Sequence, residues 1–156
     1  MARIAFNFSA ITNYLFISSL PETIHADQIA DLGVCLIISM PLFPPPRVYR
    51  KPPFEFVHCP AIDTPLTPIP MSMLWRGVRA AQPVIARGDK VLVHCAAGIH
   101  RSVAMASCIL ISQGHTADAT MRLIKQQRPV ADPYVPYIQA RIHKFEREWA
   151  QAAGAP

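Results

Sequence analysis

The sequence predicts one α/β domain, spanning residues 1–156, with a mostly parallel central sheet of about five strands flanked by helices. The run Val34–Ser39 is apolar on both faces, as in a buried strand of a parallel sheet, and Lys90–His94 is a second short apolar run. Ser102–Ser112 is apolar nearly all round, which is typical of a helix enclosed by neighbours. A length of 156 residues suits one such core.

The first half of the chain carries further strand signals separated by turn residues. Asn13–Ser18 (NYLFIS) predicts an early strand, and Ser19-Leu20-Pro21 ends it. A short helix is expected at His25–Leu32, where Gly33 ends it. Phe54–His58 alternates apolar and polar side chains and predicts another strand.

The segment 41–53 has the composition of a stiff surface loop. It contains six prolines and three positive charges, so it cannot form a central strand or a helix. A rigid connector is the favoured interpretation. The alternative is a rim that faces a substrate or partner through Arg47, Arg50 and Lys51.

Helical patterns dominate the second half. Met73–Arg87 has one apolar face, with a kink expected at Pro83. Thr116 is expected to cap the next helix, whose inward residues are Ala117, Met121 and Ile124. The last helix is expected to begin near Asp132 or Val135. Its inward residues recur at helical spacing: Ile138, Ile142, Phe145 and Trp149.

Composition narrows the classes of protein. A hydrophobic content of 51% with 16% charged residues argues against disorder, and no apolar run approaches the roughly 20 residues of a membrane span. Polar residues interrupt the N-terminal apolar run, so no signal peptide is predicted and a cytoplasmic location, with the nucleus as a second compartment, is expected.

The net charge of +5 favours anionic substrates. Nucleic-acid binding is not indicated, because the sequence has no basic stripe interleaved with aromatic residues. Oligomeric state is left open.

Residues 90–102, KVLVHCAAGIHRS, join a predicted strand to a predicted helix through a loop suited to bind an anion. Backbone N–H groups of the loop and of the helix N-terminus converge in such a unit, here from Ala96, Ala97, Gly98, Ile99, His100 and Arg101. Cys95 begins the loop, and the field of these groups is expected to keep its sulfur as a thiolate at neutral pH. The planar fork of Arg101 can hold two phosphate oxygens.

The stretch HCAAGIHRS resembles the His-Cys-x(5)-Arg-Ser/Thr signature of the cysteine-dependent protein tyrosine phosphatases, and its HCAAG opening looks most like the small, atypical dual-specificity phosphatases. The resemblance implies that Cys95 is the nucleophile, that Arg101 clamps the phosphate and that Ser102 helps the thiolate leave from a phosphocysteine intermediate. It gives His94 a structural role in ordering the loop. His100 departs from the family pattern, in which Ser, Gly or Asn is more usual.

The same resemblance implies a protein tyrosine phosphatase-like catalytic domain that needs no metal or cofactor. Its expected substrates are proteins phosphorylated on tyrosine and on serine or threonine. Alternatives are a non-protein substrate, such as a phosphoinositide or an RNA 5′-triphosphate, or a phosphate-binding module with little activity. A sulfurtransferase also uses a cysteine loop, but usually a shorter one without the Cys-x(5)-Arg spacing.

A proton donor for the leaving oxygen is expected on the loop 61–70. Asp63 lies there in the sequence AIDTP, which resembles the loop that carries the general acid in dual-specificity phosphatases. The alternative is that Asp63 only shapes a turn beside Thr64. In that case Asp89 or Asp132 would be the next candidate.

A second Val-His-Cys sequence ends at Cys59, but no Gly and Arg follow it to form an anion-binding loop. Cys59 is therefore expected to be a buried thiol, as are Cys35 and Cys108. A regulatory disulfide between one of these three and Cys95 is left open. The four cysteines show no metal-ligand spacing with the six histidines.

Overall fold

The computed structural model describes residues 5–154 and contains one five-stranded sheet. Its strands are β1 (Phe8–Ala10), β2 (Leu15–Ser18), β3 (Val34–Ser39), β4 (Glu55–His58) and β5 (Lys90–His94). They lie in the order β1-β2-β5-β3-β4, with β1 antiparallel to β2 and every other pair parallel. The predicted α/β class with a mostly parallel sheet of five strands is confirmed.

Five α-helices accompany the sheet in the described part of the chain: α1 (Ala26–Asp31), α2 (Met71–Ala86), α3 (Arg101–Ser112), α4 (Ala117–Gln127) and α5 (Pro136–Gly154). Two short 3₁₀ turns occupy Thr23–His25 and Arg47–Arg50. Within residues 5–154, none of the helices combines the length and the apolar character needed to cross a bilayer.

Alternating side chains of the central strands enter two separate cores. Leu36 and Ile38 of β3 join the cluster formed with α2, α3, α4 and α5, whereas Ile37 joins the opposite cluster with Ile29 of α1 and Tyr49. Both faces of β3 are therefore covered, which is why its sequence is apolar throughout.

The first strands differ from the prediction at their ends. The early strand begins at Leu15 rather than at Asn13, because the Tyr14 N–H donates to the hydroxyl of Thr12, 3.2 Å away, in a local turn that competes with the sheet. Strand β1 was not predicted at all. It is only three residues long and, within residues 5–154, pairs only with β2.

The proline-rich segment is anchored more firmly than a surface loop. Tyr49, in the 3₁₀ turn, is fully buried, and its hydroxyl donates to the Glu22 carbonyl at 2.5 Å. The prediction of a segment lying wholly on the surface is therefore wrong at Tyr49. The rim function of Arg47, Arg50 and Lys51 stays a hypothesis.

The later helices follow the predicted pattern with small shifts. Helix α2 begins at Met71 and continues through Pro83 to Ala86. The Thr116 side chain accepts a hydrogen bond from the Ala119 N–H at 3.2 Å, so the predicted cap of α4 is confirmed. Trp149 packs against the core as predicted, although it is only partly buried.

The carboxyl ends of the parallel strands meet at one edge of the sheet, where ligands bind in folds of this type. Cys95 follows β5 directly, and the loop that contains Asp63 follows β4. Helix α3 begins at Arg101, so its N-terminus faces the same edge.

Candidate active site

The loop 95–100 curls around the sulfur of Cys95. The Gly98 N–H donates to Sγ at 3.2 Å, and the hydroxyl of Ser102 lies 3.2 Å from the same sulfur. Cys95 is 2% exposed, so these two groups interact with the sulfur largely away from water. Both groups are placed to donate a hydrogen bond to the sulfur.

Gly98 is required by the shape of the loop. Its φ of +71° lies in the left-handed region, and a Cβ there would come within 2.7 Å of Nη2 of Arg128 and 2.8 Å of the backbone of Ser18. Any side chain at position 98 would therefore push the loop off β2 and away from Arg128.

Arg128 supports the loop from beneath. Its side chain is buried, and its Nε donates to the Gly98 carbonyl at 2.9 Å, its Nη2 to the Ala97 carbonyl at 3.3 Å and its Nη1 to the hydroxyl of Ser9 at 3.1 Å. The two loop carbonyls thus point down to the guanidinium. Burial lowers the pKa of Arg128, and the negative charge of Cys95 opposes that effect.

His94 lies at the end of β5 and is fully buried. Burial lowers its pKa to about 4, so the imidazole is neutral at physiological pH. Its Nδ1 lies 3.4 Å from the carbonyl oxygen of Cys95. These contacts fit the expected role in ordering the loop and not a role in proton transfer.

Arg101 connects the loop 95–100, which we call the phosphate loop, to the loop 61–70 that contains Asp63, which we call the acid loop. Its Nη1 donates to the Ala61 carbonyl at 2.8 Å, while its buried Nε has no hydrogen-bond partner in the described chain. An unpaired buried donor is costly unless it binds an anion or water. The guanidinium is thus fixed by one donor and retains another for a phosphate oxygen.

Both oxygens of the Asp63 carboxylate are held. The Tyr137 hydroxyl donates to Oδ1 at 2.5 Å, and Nδ1 of His100 lies 3.0 Å from Oδ2. Tyr137 and His100 also approach each other, with 3.3 Å between the hydroxyl and Nδ1. Asp63, His100 and Tyr137 therefore join the acid loop, the phosphate loop and α5 in one cluster.

This cluster alters the proton affinity of its members. Partial burial raises the pKa of the Asp63 carboxyl, but the hydrogen bonds from Tyr137 and His100 and the charge of Arg101 outweigh burial, so the pKa is lowered overall. Burial and the Asp63 carboxylate raise the pKa of Tyr137 to about 12. The tyrosine hydroxyl is therefore a proton-bearing donor at neutral pH.

Comparison with known proteins assigns the chain to a family. Residues 15–147 match the family model described as dual specificity phosphatase, catalytic domain. The chain belongs to the dual specificity phosphatase family. The mouse protein dual specificity phosphatase 28 is 25% identical over 141 residues, which cover 90% of this chain and 84% of that relative.

Solved structures share the fold over nearly the whole chain. A mouse putative dual specificity phosphatase complexed with zinc tungstate has a TM-score of 0.84 and 24% identity, covering 98% of this chain and 94% of that one. PTPMT1 in complex with PI(5)P has a TM-score of 0.84 and 21% identity, covering 94% of this chain and 99% of that one. The protein is a cysteine-dependent dual-specificity phosphatase.

In this phosphatase, the fold brings together the residues that the sequence singled out. Cys95, Ser102 and Gly98 are in contact, and Asp63 reaches the loop through His100. The two alternative acids, Asp89 and Asp132, bind other partners. Asp89 pairs with Arg87 beside the start of β5, at the opposite edge of the sheet, and the Asp132 carboxylate accepts the Tyr134 N–H.

The other cysteines of the phosphatase are poorly suited to nucleophilic attack. Burial raises the pKa of Cys59 to about 11 and that of Cys108 further, while burial and Asp89 raise that of Cys35. All three are free thiols, as is Cys95. The expectation that Cys59 is a buried thiol is confirmed, whereas Cys35 is only partly buried.

Two functional residues were not predicted from the sequence. Arg128 stands directly before Pro129 in the segment QQRPVADPY, and this charged residue was the available signal. The loop is supported by Arg128 and by the Asp132 N–H, which donates to the Ile99 carbonyl at 3.0 Å. The second missed residue, Tyr137, carried no local signal.

Proposed function

We propose that Cys95, Asp63, Arg101 and Ser102 hydrolyse phosphoprotein esters in two steps. In the first, the Cys95 thiolate attacks phosphorus, an S–P bond forms, the P–O bond to the substrate breaks, and Asp63 gives its proton to the leaving oxygen. In the second, Asp63 takes a proton from water, the water oxygen bonds to phosphorus, and the S–P bond breaks. The thiolate and the protonated Asp63 are thereby restored in the complex with phosphate, and Asp63 releases its proton when phosphate leaves.

This proposal depends on the arrangement of Gly98, Ser102 and Arg101 around the Cys95 sulfur. Gly98 N–H and Ser102 stabilise a thiolate at Cys95, and the hydroxyl of Ser102 is within reach to donate to the sulfur as it leaves phosphorus. Arg101 retains a buried donor for the equatorial oxygens of the phosphoryl group, where charge accumulates in the transition state. Arg128 keeps the loop carbonyls turned away from the anion.

The lowered pKa of Asp63 requires a source for the proton that it donates. Tyr137 and His100 stabilise its carboxylate in the free enzyme. A phosphate dianion bound at Cys95 repels that carboxylate and thereby raises the pKa of Asp63 in the complex. The enzyme therefore binds this proton at Asp63 together with the substrate.

Replacing Asp63 by Asn tests the general acid. We expect Asp63→Asn to slow hydrolysis of phosphothreonine peptides by about 10²-fold or more, because an alkoxide leaving group needs a proton. Hydrolysis of an aryl phosphate with an acidic phenol should slow much less, since its leaving oxygen is a weak base. The measurement is kcat on both substrates.

The control for this experiment is Asp132→Asn, which removes the other candidate acid near the loop. It should leave the ratio between the two substrates unchanged. Equal losses on both substrates in Asp63→Asn, or a substrate-dependent loss in Asp132→Asn, would contradict the role of Asp63.

The hydrogen bond from Tyr137 gives a prediction about pH. Tyr137→Phe removes one donor from the Asp63 carboxylate, so the pKa of Asp63 should rise toward its ordinary value. The acid form then persists to higher pH, and the basic limb of the kcat/KM profile should move upward. Tyr134→Phe is the matched control, because the Tyr134 hydroxyl has no hydrogen-bond partner among residues 5–154. A basic limb that stays in place, or moves equally in both variants, would exclude this coupling.

The substrate class is tested by direct comparison. Phosphotyrosine and phosphothreonine peptides, a phosphoinositide and an RNA 5′-triphosphate should be offered in parallel, in the presence of EDTA. PTPMT1, which shares the fold, is described in complex with PI(5)P, and this supports including the phosphoinositide. We expect the two phosphopeptides to be hydrolysed fastest and EDTA to have no effect. Faster turnover of the phosphoinositide would move the proposal to a lipid substrate.

A further inference from the structure

A basic groove lies beside the cluster that holds Asp63. It has a volume of about 250 Å³. Its lining residues come from the acid loop and from α5: Pro68, Tyr137, Ala140, Arg141, Lys144 and Arg147. The three cations recur every three residues, so they lie along one face of the helix.

The positive charge of this groove is not neutralised within the described chain. Arg141, Lys144 and Arg147 make no ion pair or hydrogen bond with any residue of the range 5–154. The two glutamates of α5 are engaged elsewhere: the Glu146 carboxylate accepts the Ala117 N–H, and that of Glu148 accepts the indole N–H of Trp75 at 3.1 Å. The groove therefore presents three uncompensated cations to an incoming molecule.

The groove begins at the active site. Tyr137 lines its near end and donates to the Asp63 carboxylate, and Pro68 belongs to the same loop as Asp63. With a rise of 1.5 Å per residue, Lys144 and Arg147 lie roughly 10 and 15 Å from Tyr137 along the helix axis. An extended peptide covers that distance in roughly three to five residues.

We propose that this groove binds acidic side chains of the phosphoprotein substrate, about three to five residues from the phosphorylated one. The inference rests on the proposed function, because it places the phosphorylated residue at Cys95. An elongated row of single cations fits carboxylates spaced along an extended chain. A compact inositol headgroup would need its cations gathered at one point. Ion pairs in such an open groove set substrate preference and rate of encounter more than total affinity.

The test measures binding in the Cys95→Ser background, so that no peptide is consumed. One phosphotyrosine peptide carries glutamates three to five residues before the phosphotyrosine, and a second carries them three to five residues after it. Each is compared with a control peptide that has glutamine at the same positions. We expect one acidic peptide to bind at least about threefold more tightly than its glutamine partner, in line with exposed ion pairs. Lys144→Gln should reduce that preference, and Lys144→Glu should abolish it.

Arg122→Glu is the matched control, since Arg122 is an exposed cation on α4 that does not line the groove. It should leave the preference intact. The proposal is overturned if neither acidic peptide is preferred, if Arg122→Glu and Lys144→Glu act equally, or if Lys144→Glu weakens binding only to phosphoinositide vesicles. Turnover of a small aryl phosphate by the wild type, a substrate too short to reach the groove, reports separately on the proposed function: absence of that turnover would refute the mechanism without bearing on the groove.

Discussion

Cys95→Ser should abolish turnover, with a loss on the order of 10⁴-fold or more, comparable to removal of the nucleophile in other covalent enzymes. A serine hydroxyl at this position is hardly ionised at neutral pH, and no general base contacts it in the described chain. The loop itself should persist, because the serine oxygen can accept the Gly98 N–H that Sγ accepts now. The variant should therefore still bind phosphate or tungstate. Calorimetric titration with tungstate and steady-state kinetics measure the two properties separately.

The matched control is Cys59→Ala, which alters the second Val-His-Cys sequence. Cys59 is fully buried, and its raised pKa keeps it a neutral thiol. We expect Cys59→Ala to keep kcat within about threefold of the wild type, at some cost in thermal stability from the lost packing. Cys95→Ser activity within tenfold of the wild type would exclude covalent catalysis at Cys95.

Arg101→Lys should lower kcat/KM by about 10³-fold, which is the upper range for loss of one transition-state donor. Lysine keeps the charge but replaces the planar fork with a single ammonium group. The ammonium group cannot both donate to the Ala61 carbonyl and hold two phosphoryl oxygens in the same geometry. The acid loop should also lose one of its links to the phosphate loop, the bond from Arg101 to the Ala61 carbonyl, so kcat and tungstate affinity should both fall.

Arg122→Lys makes the same chemical change at an exposed position of α4 and should have no effect on either quantity. If Arg101→Lys retained near-normal kinetics and anion affinity, the loop 95–101 would not be the phosphate site. A loss of kcat with unchanged tungstate affinity would instead mean that Arg101 stabilises the transition state and does not contribute to binding of the anion.

The local sequence was sufficient to predict the features that depend on residues close together in the chain. Strand β3 begins and ends where the apolar run Val34–Ser39 does, since both of its faces are buried. The loop residues Cys95, Gly98 and Ser102 lie within eight positions of one another, and their contacts follow from the strand–loop–helix unit alone.

The unpredicted features depend on partners far away in the chain. Tyr137 lies 74 positions from Asp63 and Arg128 lies 30 positions from Gly98, so no short stretch of sequence contains both residues of either pair. The hydroxyl of Tyr49 finds the Glu22 carbonyl across 27 positions and buries a segment whose composition indicated only surface. Strand β1 has three residues and is held by its pairing with β2, and three residues are too few to show a periodicity in the sequence.

Trapping the phosphocysteine tests the central claim most directly. The wild type and Ser102→Ala should be mixed with a phosphotyrosine peptide that carries a radioactive phosphoryl group, then quenched in acid and digested. We predict label on the peptide that contains Cys95, with more label in Ser102→Ala because its thiolate leaves phosphorus more slowly. Cys95→Ser should carry none. Turnover without any labelled protein, or label that persists in Cys95→Ser, would contradict a mechanism through phosphocysteine at Cys95.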